Sequence, residues 1–337
     1  MDSKKMLAIV AVVVLAVAAI GVYVIMSGDN DKEGSLKVVY LNKGGYETFM
    51  VAEDKGFYDD LDFNMENLLV TGSGQNAVDA LLAGDADIAA TGEGPVINNL
   101  VKYGDDIVLL GSYTVSIGGQ VWVAQGDSSI GGATPQEKAN SMKGKVAGVI
   151  GGSSTESIFK RWCAAYGLEI STTVDPDKLC LKTILDGAAL LEAFGTKDIE
   201  ILAASQPYPT TAMAELSAKK IGDSSDINAN STTMVITTKA KYEEKGEMMK
   251  DFVGALHETT KYINANKEEC IKICSDRIGN SVAEETTAFA GTTFDVSFDD
   301  VIIDTLFAAA DAKPGNTLTR DFIAAACPLK SYLDALA

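Results

Sequence analysis

Histidine is almost missing: His257 is the single one in 337 residues. One imidazole leaves no histidine-based metal centre, and His257 falls in a late amphipathic helix where a structural role is expected. Cysteine is sparse and odd in number. Cys163, Cys180, Cys270, Cys274 and Cys327 form no CxxC pair and no Cys/His cluster with zinc spacing. Cys270 and Cys274 stand one helical turn apart, but two thiols make a weak metal site, so buried small hydrophobes are expected. One disulfide is compatible with this count; a disulfide framework is not indicated. Positive charge is also short, with 28 Lys and Arg against 47 Asp and Glu and a formal charge of −19. So acidic a surface repels phosphate backbones, which sets nucleic acid aside as a partner. There is no GxSxG elbow for a serine hydrolase and no Gly-Lys-Ser/Thr phosphate loop. No catalytic residue, metal or cofactor is expected.

Charge is missing from one long run, MLAIVAVVVLAVAAIGVYVIM, residues 6–26. At a helical rise of about 1.5 Å that run spans roughly 30 Å, the thickness of a bilayer core. Lys4 and Lys5 precede it and the acidic GDNDKEG follows, which predicts an inside N-terminus and an exported domain. We read residues 1–26 as an N-terminal transmembrane anchor with the domain extracytoplasmic. Signal cleavage and secretion is the alternative, with Ala16, Ala18 and Ala19 as small residues near a cleavage point. Residues 27–35, from SGDNDKEGS, read as a linker.

The remainder is ordinary globular material, 47% hydrophobic with 31 glycines and 7 prolines. Apolar, β-branched runs alternate with helical patterns, which predicts an α/β fold of doubly wound parallel sheets flanked by helices. Strands are expected at LKVVYLN (36–42), DFNMENLLV, ADIAA, DIVLLGSYT, QVWVAQ (120–125), KGKVAGVI (143–150), DIEILAAS (198–205) and TTMVITTKA (232–240). From 242 onward the pattern is mainly helical. In such sheets ligands sit outside the carboxyl ends of the strands. The loops at 42–46, 71–75 and 91–95 share that edge.

The strongest local signal is GGSSTES, residues 151–157. A strand runs into two glycines and three hydroxyl residues at a helix start, which suits either an anion site or plain helix capping. Tyr46, Trp122 and Tyr208 are candidates for stacking on a ligand, with core packing as the alternative. Glu93 in TGEGP reads as a pocket carboxylate or as a cap.

Five stretches in order carry a resemblance. VAEDKGFYDD, ALLAGDADIAATGEGP, SMKGKVAGVIGGSSTE, ASQPYPTTA and MVITTKAKYEEKGEMMKDFVGALHETTKYINANKEE resemble solute-binding proteins of ABC transporters of the nitrate/sulfonate/taurine type. The likeness, over about residues 36–330, extends to the pyrimidine-precursor binders of the NMT1/THI5-like group. It implies a two-lobed, type II periplasmic-binding-protein-like fold closing on a small solute by a hinge. The implied lobes are 36–118 plus 235–337, and 119–234. Binding positions implied are Gly45, Tyr46, Ser73, Gly74, Gln75, Thr91, Gly92, Glu93, Ser153, Ser154, Thr155, Gln206 and Tyr208. The implied partners are an ABC permease and its ATPase. Alternatives are a binder of a thiamine-precursor-like pyrimidine, or an enzyme on the same fold. The related enzymes carry a cysteine-rich iron motif and active-site histidines that this sequence lacks. With no arginine in these loops, a sulfonate or nitrate would rely on N–H and hydroxyl donors. Glu93 leaves a zwitterion such as taurine, or a basic pyrimidine, open.

Overall fold

LKVVYL is β-branched and apolar along its length, and it forms the buried centre of a sheet. The computed structural model describes residues 23–27, 32, 34–313 and 315–336. The chain begins with β1 (Tyr23–Ser27), β2 (Ser35–Leu41), α1 (Glu47–Lys55), β3 (Asn64–Val70), α2 (Gly74–Ala83), β4 (Ile88–Gly92), α3 (Glu93–Tyr103) and β5 (Ile107–Ile117). It then builds β6 (Gln120–Ala124), α4 (Pro135–Ser141), β7 (Val146–Ile150), α5 (Ser154–Ala165), β8 (Ile170–Ser171) and β9 (Leu179–Ile184). The same stretch continues through α6 (Gly187–Gly195), β10 (Ile201–Ser205), α7 (Tyr208–Glu215) and β11 (Lys219–Asp223). It closes with β12 (Asn230–Thr238), α8 (Lys239–Ala265), α9 (Lys267–Ile278), α10 (Val282–Ala290), β13 (Thr292–Ser297), α11 (Asp300–Asp311), α12 (Arg320–Ala325) and α13 (Lys330–Leu336).

Two sheets result. One has the order β1-β3-β2-β4-β12-β5-β13 and the other β11-β6-β10-β7-β9-β8. The expectation of purely parallel sheets is corrected here. β3, β2 and β4 pair in parallel, but β12 enters antiparallel between β4 and β5. In the second sheet β10, β7, β9 and β8 are parallel while β6 runs against them, between β10 and the edge strand β11, to which it is also antiparallel. The reason is long-range: β12 returns more than a hundred residues later and takes the place next to β4 that β5 would fill.

Each half has its own core. Tyr40, Phe49, Tyr113 and Phe252 pack together under the first sheet. Trp122, Phe159 and Trp162 do so in the second half. Trp122 is fully buried there and belongs to the core, not to a ligand surface. All five cysteines are buried and free.

Asp87 locks helix α8 onto the first sheet. It is 2% exposed, meets Lys241 Nζ at 2.9 Å and Lys245 Nζ at 2.8 Å, and accepts from Lys37 N at 2.9 Å. Burial alone would raise its carboxyl, yet those three donors outweigh burial and hold it below the usual range.

Most of the proposed anchor, residues 1–22, lies outside the described residues. Its last residues are strand, not helix, since β1 pairs antiparallel with β3. Among the described residues no helix is long and apolar enough to cross a membrane. Of the linker 27–35, Ser27 ends β1 and Ser35 begins β2.

Candidate functional site

Strand ends of both sheets face one cavity of about 260 Å³. Four helices start at its edge: α1, α2, α3 and α5. A helix start carries a partial positive charge and N–H groups without intrahelical partners, and although Ser73 and Ser153 cap two of the four, their convergence favours an anionic group. TGEGP departs from the expected polar loop. β4 ends at Gly92 and α3 begins at Glu93, so the strand passes directly into a helix with Gly92 as its N-cap.

Of the thirteen expected binding positions, eight line the cavity: Gly45, Tyr46, Gly74, Gly92, Ser153, Ser154, Thr155 and Gln206. The other five are turned away or covered. Ser73 caps α2 and faces Asn76. Gln75 donates to Asp79 Oδ1 at 2.9 Å and accepts from Asn99 Nδ2 at 3.1 Å. Thr91 is fully buried beneath Gly74. The Tyr208 ring lies over Gly187, where a Cβ has no room.

Glu93 is the largest departure. It is fully buried, and its Oε2 accepts from Thr232 N at 3.2 Å and from Ser231 Oγ at 3.3 Å. Burial raises its carboxyl, with the Ser154 hydroxyl, backbone N–H groups and Ser231 opposing that shift. It ties α3 to β12 behind the cavity wall instead of facing a ligand.

Ser153 is a cap, accepting from Glu156 N at 3.2 Å. Ser154 does more. Its hydroxyl lies 3.4 Å from Gly94 N across the seam between the halves. A Cβ on Gly94 would lie 3.0 Å from Ser153 O and 3.1 Å from Ser154 N. One on Gly44 would lie 3.2 Å from Gln206 O. Glycine at both positions lets the rims touch, and Thr211 Oγ1 donates across the same seam to Glu284 Oε1 at 3.1 Å.

Lys43 and Glu47 also line the cavity and were missed by the sequence reading, which sought arginine. The signal stood in NKGGY, one residue before the glycines. Lys43 is half-buried, and burial alone pulls its ammonium down to about 8. The other lining cation, Lys220, is taken by Asp223 at 2.5 Å. Glu47 is 1% exposed and takes Gly45 N on both carboxylate oxygens at 2.9 Å. Burial, followed by the nearby Glu285, pushes its carboxyl up to about 8. β5 and β12 add the hydroxyls of Thr114, Ser116 and Ser231 to Thr233. Hydroxyls, helix starts and the Lys43 ammonium, which has no ion-pair partner among the described residues, thus line one cavity.

Comparison with solved structures gives the fold. The alkanesulfonate-binding protein SsuA of Xanthomonas axonopodis pv. citri, bound to MOPS, matches with a TM-score of 0.71 at 16% identity, over 88% of this chain and 98% of that one. The nitrate-binding protein NrtA of Synechocystis PCC 6803 matches with 0.66 at 15% identity, over 89% and 90%. The Candida albicans CA3427 gene product, described as having the generic periplasmic binding protein fold, matches with 0.69 at 17% identity, over 87% and 94%. A search of curated protein sequences finds no match. The model of the NMT1-like family matches residues 29–275, and with most of its length inside that match the chain belongs to the NMT1-like family.

Proposed function

We propose that the chain is the extracytoplasmic solute-binding component of an ABC importer and captures a small oxyanion of the sulfonate, taurine or nitrate kind. The carrying observation is the cavity itself, where Lys43 and four helix starts face about 260 Å³ of space. That volume lies just below the range of about 300–1,000 Å³ usual for ligand pockets, which favours a small solute. The fold supports the reading, since proteins of this shape bind an alkanesulfonate in one case and nitrate in another. Catalysis has no support in the cavity, whose lining holds no histidine or cysteine. The pyrimidine alternative stood on the NMT1/THI5-like resemblance and on Glu93, and it loses the second support because Glu93 is sealed behind the wall.

In this proposal the halves are the lobes 36–118 plus 235–337 and 119–234, and they close by bending where the chain crosses between the sheets. The first crossing is Gly118–Gly119, between β5 and β6. The apolar run 6–26 holds the domain outside the membrane, or is cleaved to release it, and the loaded protein docks on a permease served by an ATPase.

Thermal-shift screening of the domain from residue 35 onward tests the reading. Taurine, ethanesulfonate, nitrate, bicarbonate and an aminopyrimidine form the panel. A bound solute at a hundred times its Kd stabilises the fold by about 2.7 kcal/mol. An anion that raises Tm supports the proposal; a shift with the aminopyrimidine alone overturns it.

A further inference from the structure

Two buried carboxylates beside the cavity act on each other electrostatically. Glu47 lines it and is 1% exposed; Glu285 on α10 is fully buried behind it. Each has limited compensation. Glu47 has the backbone N–H groups of Gly45 and of its own residue and no cation, and Glu285 Oε2 accepts from Asn280 Nδ2 at 2.7 Å while its Oε1 has no partner among the described residues. Neither carboxylate is ion-paired among the described residues, and two neighbouring buried carboxylates in that state do not both ionise, because desolvation and mutual repulsion act in the same direction.

The charged and titratable groups around the pair do not relieve it. Cys274 on α9 and Tyr113 on β5 carry no positive charge, and Tyr46 beside Glu47 is a buried phenol. Arg277 on α9 is committed to Glu53. Glu284, next to Glu285, adds only negative charge. Lys43 shares the cavity and is the cation free to meet a ligand.

We propose that anion capture in this cleft is coupled to a proton held by the Glu47–Glu285 pair. This rests on the reading that the cavity binds an anion. With the proton in place, Lys43 gives the cavity a net positive lining; without it, Glu47 repels the anion and neutralises Lys43. A bound anion therefore draws the proton onto the pair from solvent. Burial pushes Glu47 up to about 8 and pulls Lys43 down to about 8, so the lining changes sign across the same narrow pH range. Affinity for a monoanion should fall roughly tenfold or more between pH 7 and pH 9.

Two measurements test this. Carboxyl ¹³C NMR titration of the ligand-free protein, assigned with Glu47→Gln, should show Glu47 titrating near 8; titration near an ordinary glutamate value overturns the coupling with no ligand present. Calorimetry with ethanesulfonate near pH 8, in two buffers of different ionisation enthalpy, should show net proton uptake in the Lys43→Arg protein and its loss in Lys43→Arg/Glu47→Gln. Binding without proton uptake also overturns the coupling. Failure of ethanesulfonate to bind counts against the proposed function, and the NMR titration still decides the state of the pair.

Discussion

Lys43 and Glu93 show how one charge in the right place outweighs another nearby. Both flank glycines at strand ends, yet Lys43 lines the cavity and Glu93 is sealed from it. Sequence spacing gives the position of a loop but not the direction of a side chain within it, so the two were not separable by pattern. Lys43→Met removes a charge-assisted hydrogen bond worth about 1.5–3 kcal/mol, so anion affinity should drop about 10- to 100-fold with Tm little changed. Equal affinity in calorimetry would remove Lys43 from the site. Glu93 is raised by burial, so its folded form prefers the proton. The stability it contributes is fully present below its unfolded value of 4.5 and is lost as pH rises through the folded one. Glu93→Gln should therefore flatten the fall in Tm between pH 5 and pH 8, measured by calorimetric scanning. A slope equal to wild type would show that Glu93 is solvated.

At the scale of elements, Asp87 ties α8 to the sheet. Removing one partner of a buried ion pair costs about 3–5 kcal/mol, so Asp87→Ala should lower stability by about that much and raise amide exchange in α8 first. Because its carboxyl is held low, the stability it adds is present above its ordinary value of 3.8 and is lost as pH falls through the folded one. Intact exchange protection in the variant would place the anchoring of α8 elsewhere. The strands β2, β4, β5, β6, β7 and β12 were legible, because each is a buried apolar run bounded by turn residues. β11, with KKIGD, and β13, with TTFDVS, were not. Both are short edge strands: β11 opens with two lysines, and in β13 only Phe294 and Val296 are buried apolar residues. β9 was missed as well, since LCLKTI turns from buried to exposed halfway along.

For the whole molecule, the site exists only when two halves meet. The strand-end rule pointed to loops that meet at one cavity, and eight of the thirteen positions line it. The order of strands was not legible, because β12 enters the first sheet from far along the chain. In the proposed closure the rims meet at small residues. Gly94→Val puts side-chain atoms against the Ser153 backbone, an overpacking of about 1–3 kcal/mol that should hold the halves apart. Affinity should weaken by roughly tenfold, and small-angle scattering with ligand should give a larger radius than wild type. An unchanged radius would mean that the seam yields without opening.

The central claim, that this cavity receives a small anion on Lys43, is tested most directly by calorimetric titration of wild-type and Lys43→Met protein with ethanesulfonate at pH 7. The account predicts one site per chain, and an affinity at least tenfold weaker in the variant. Equal affinity in the two proteins would contradict it.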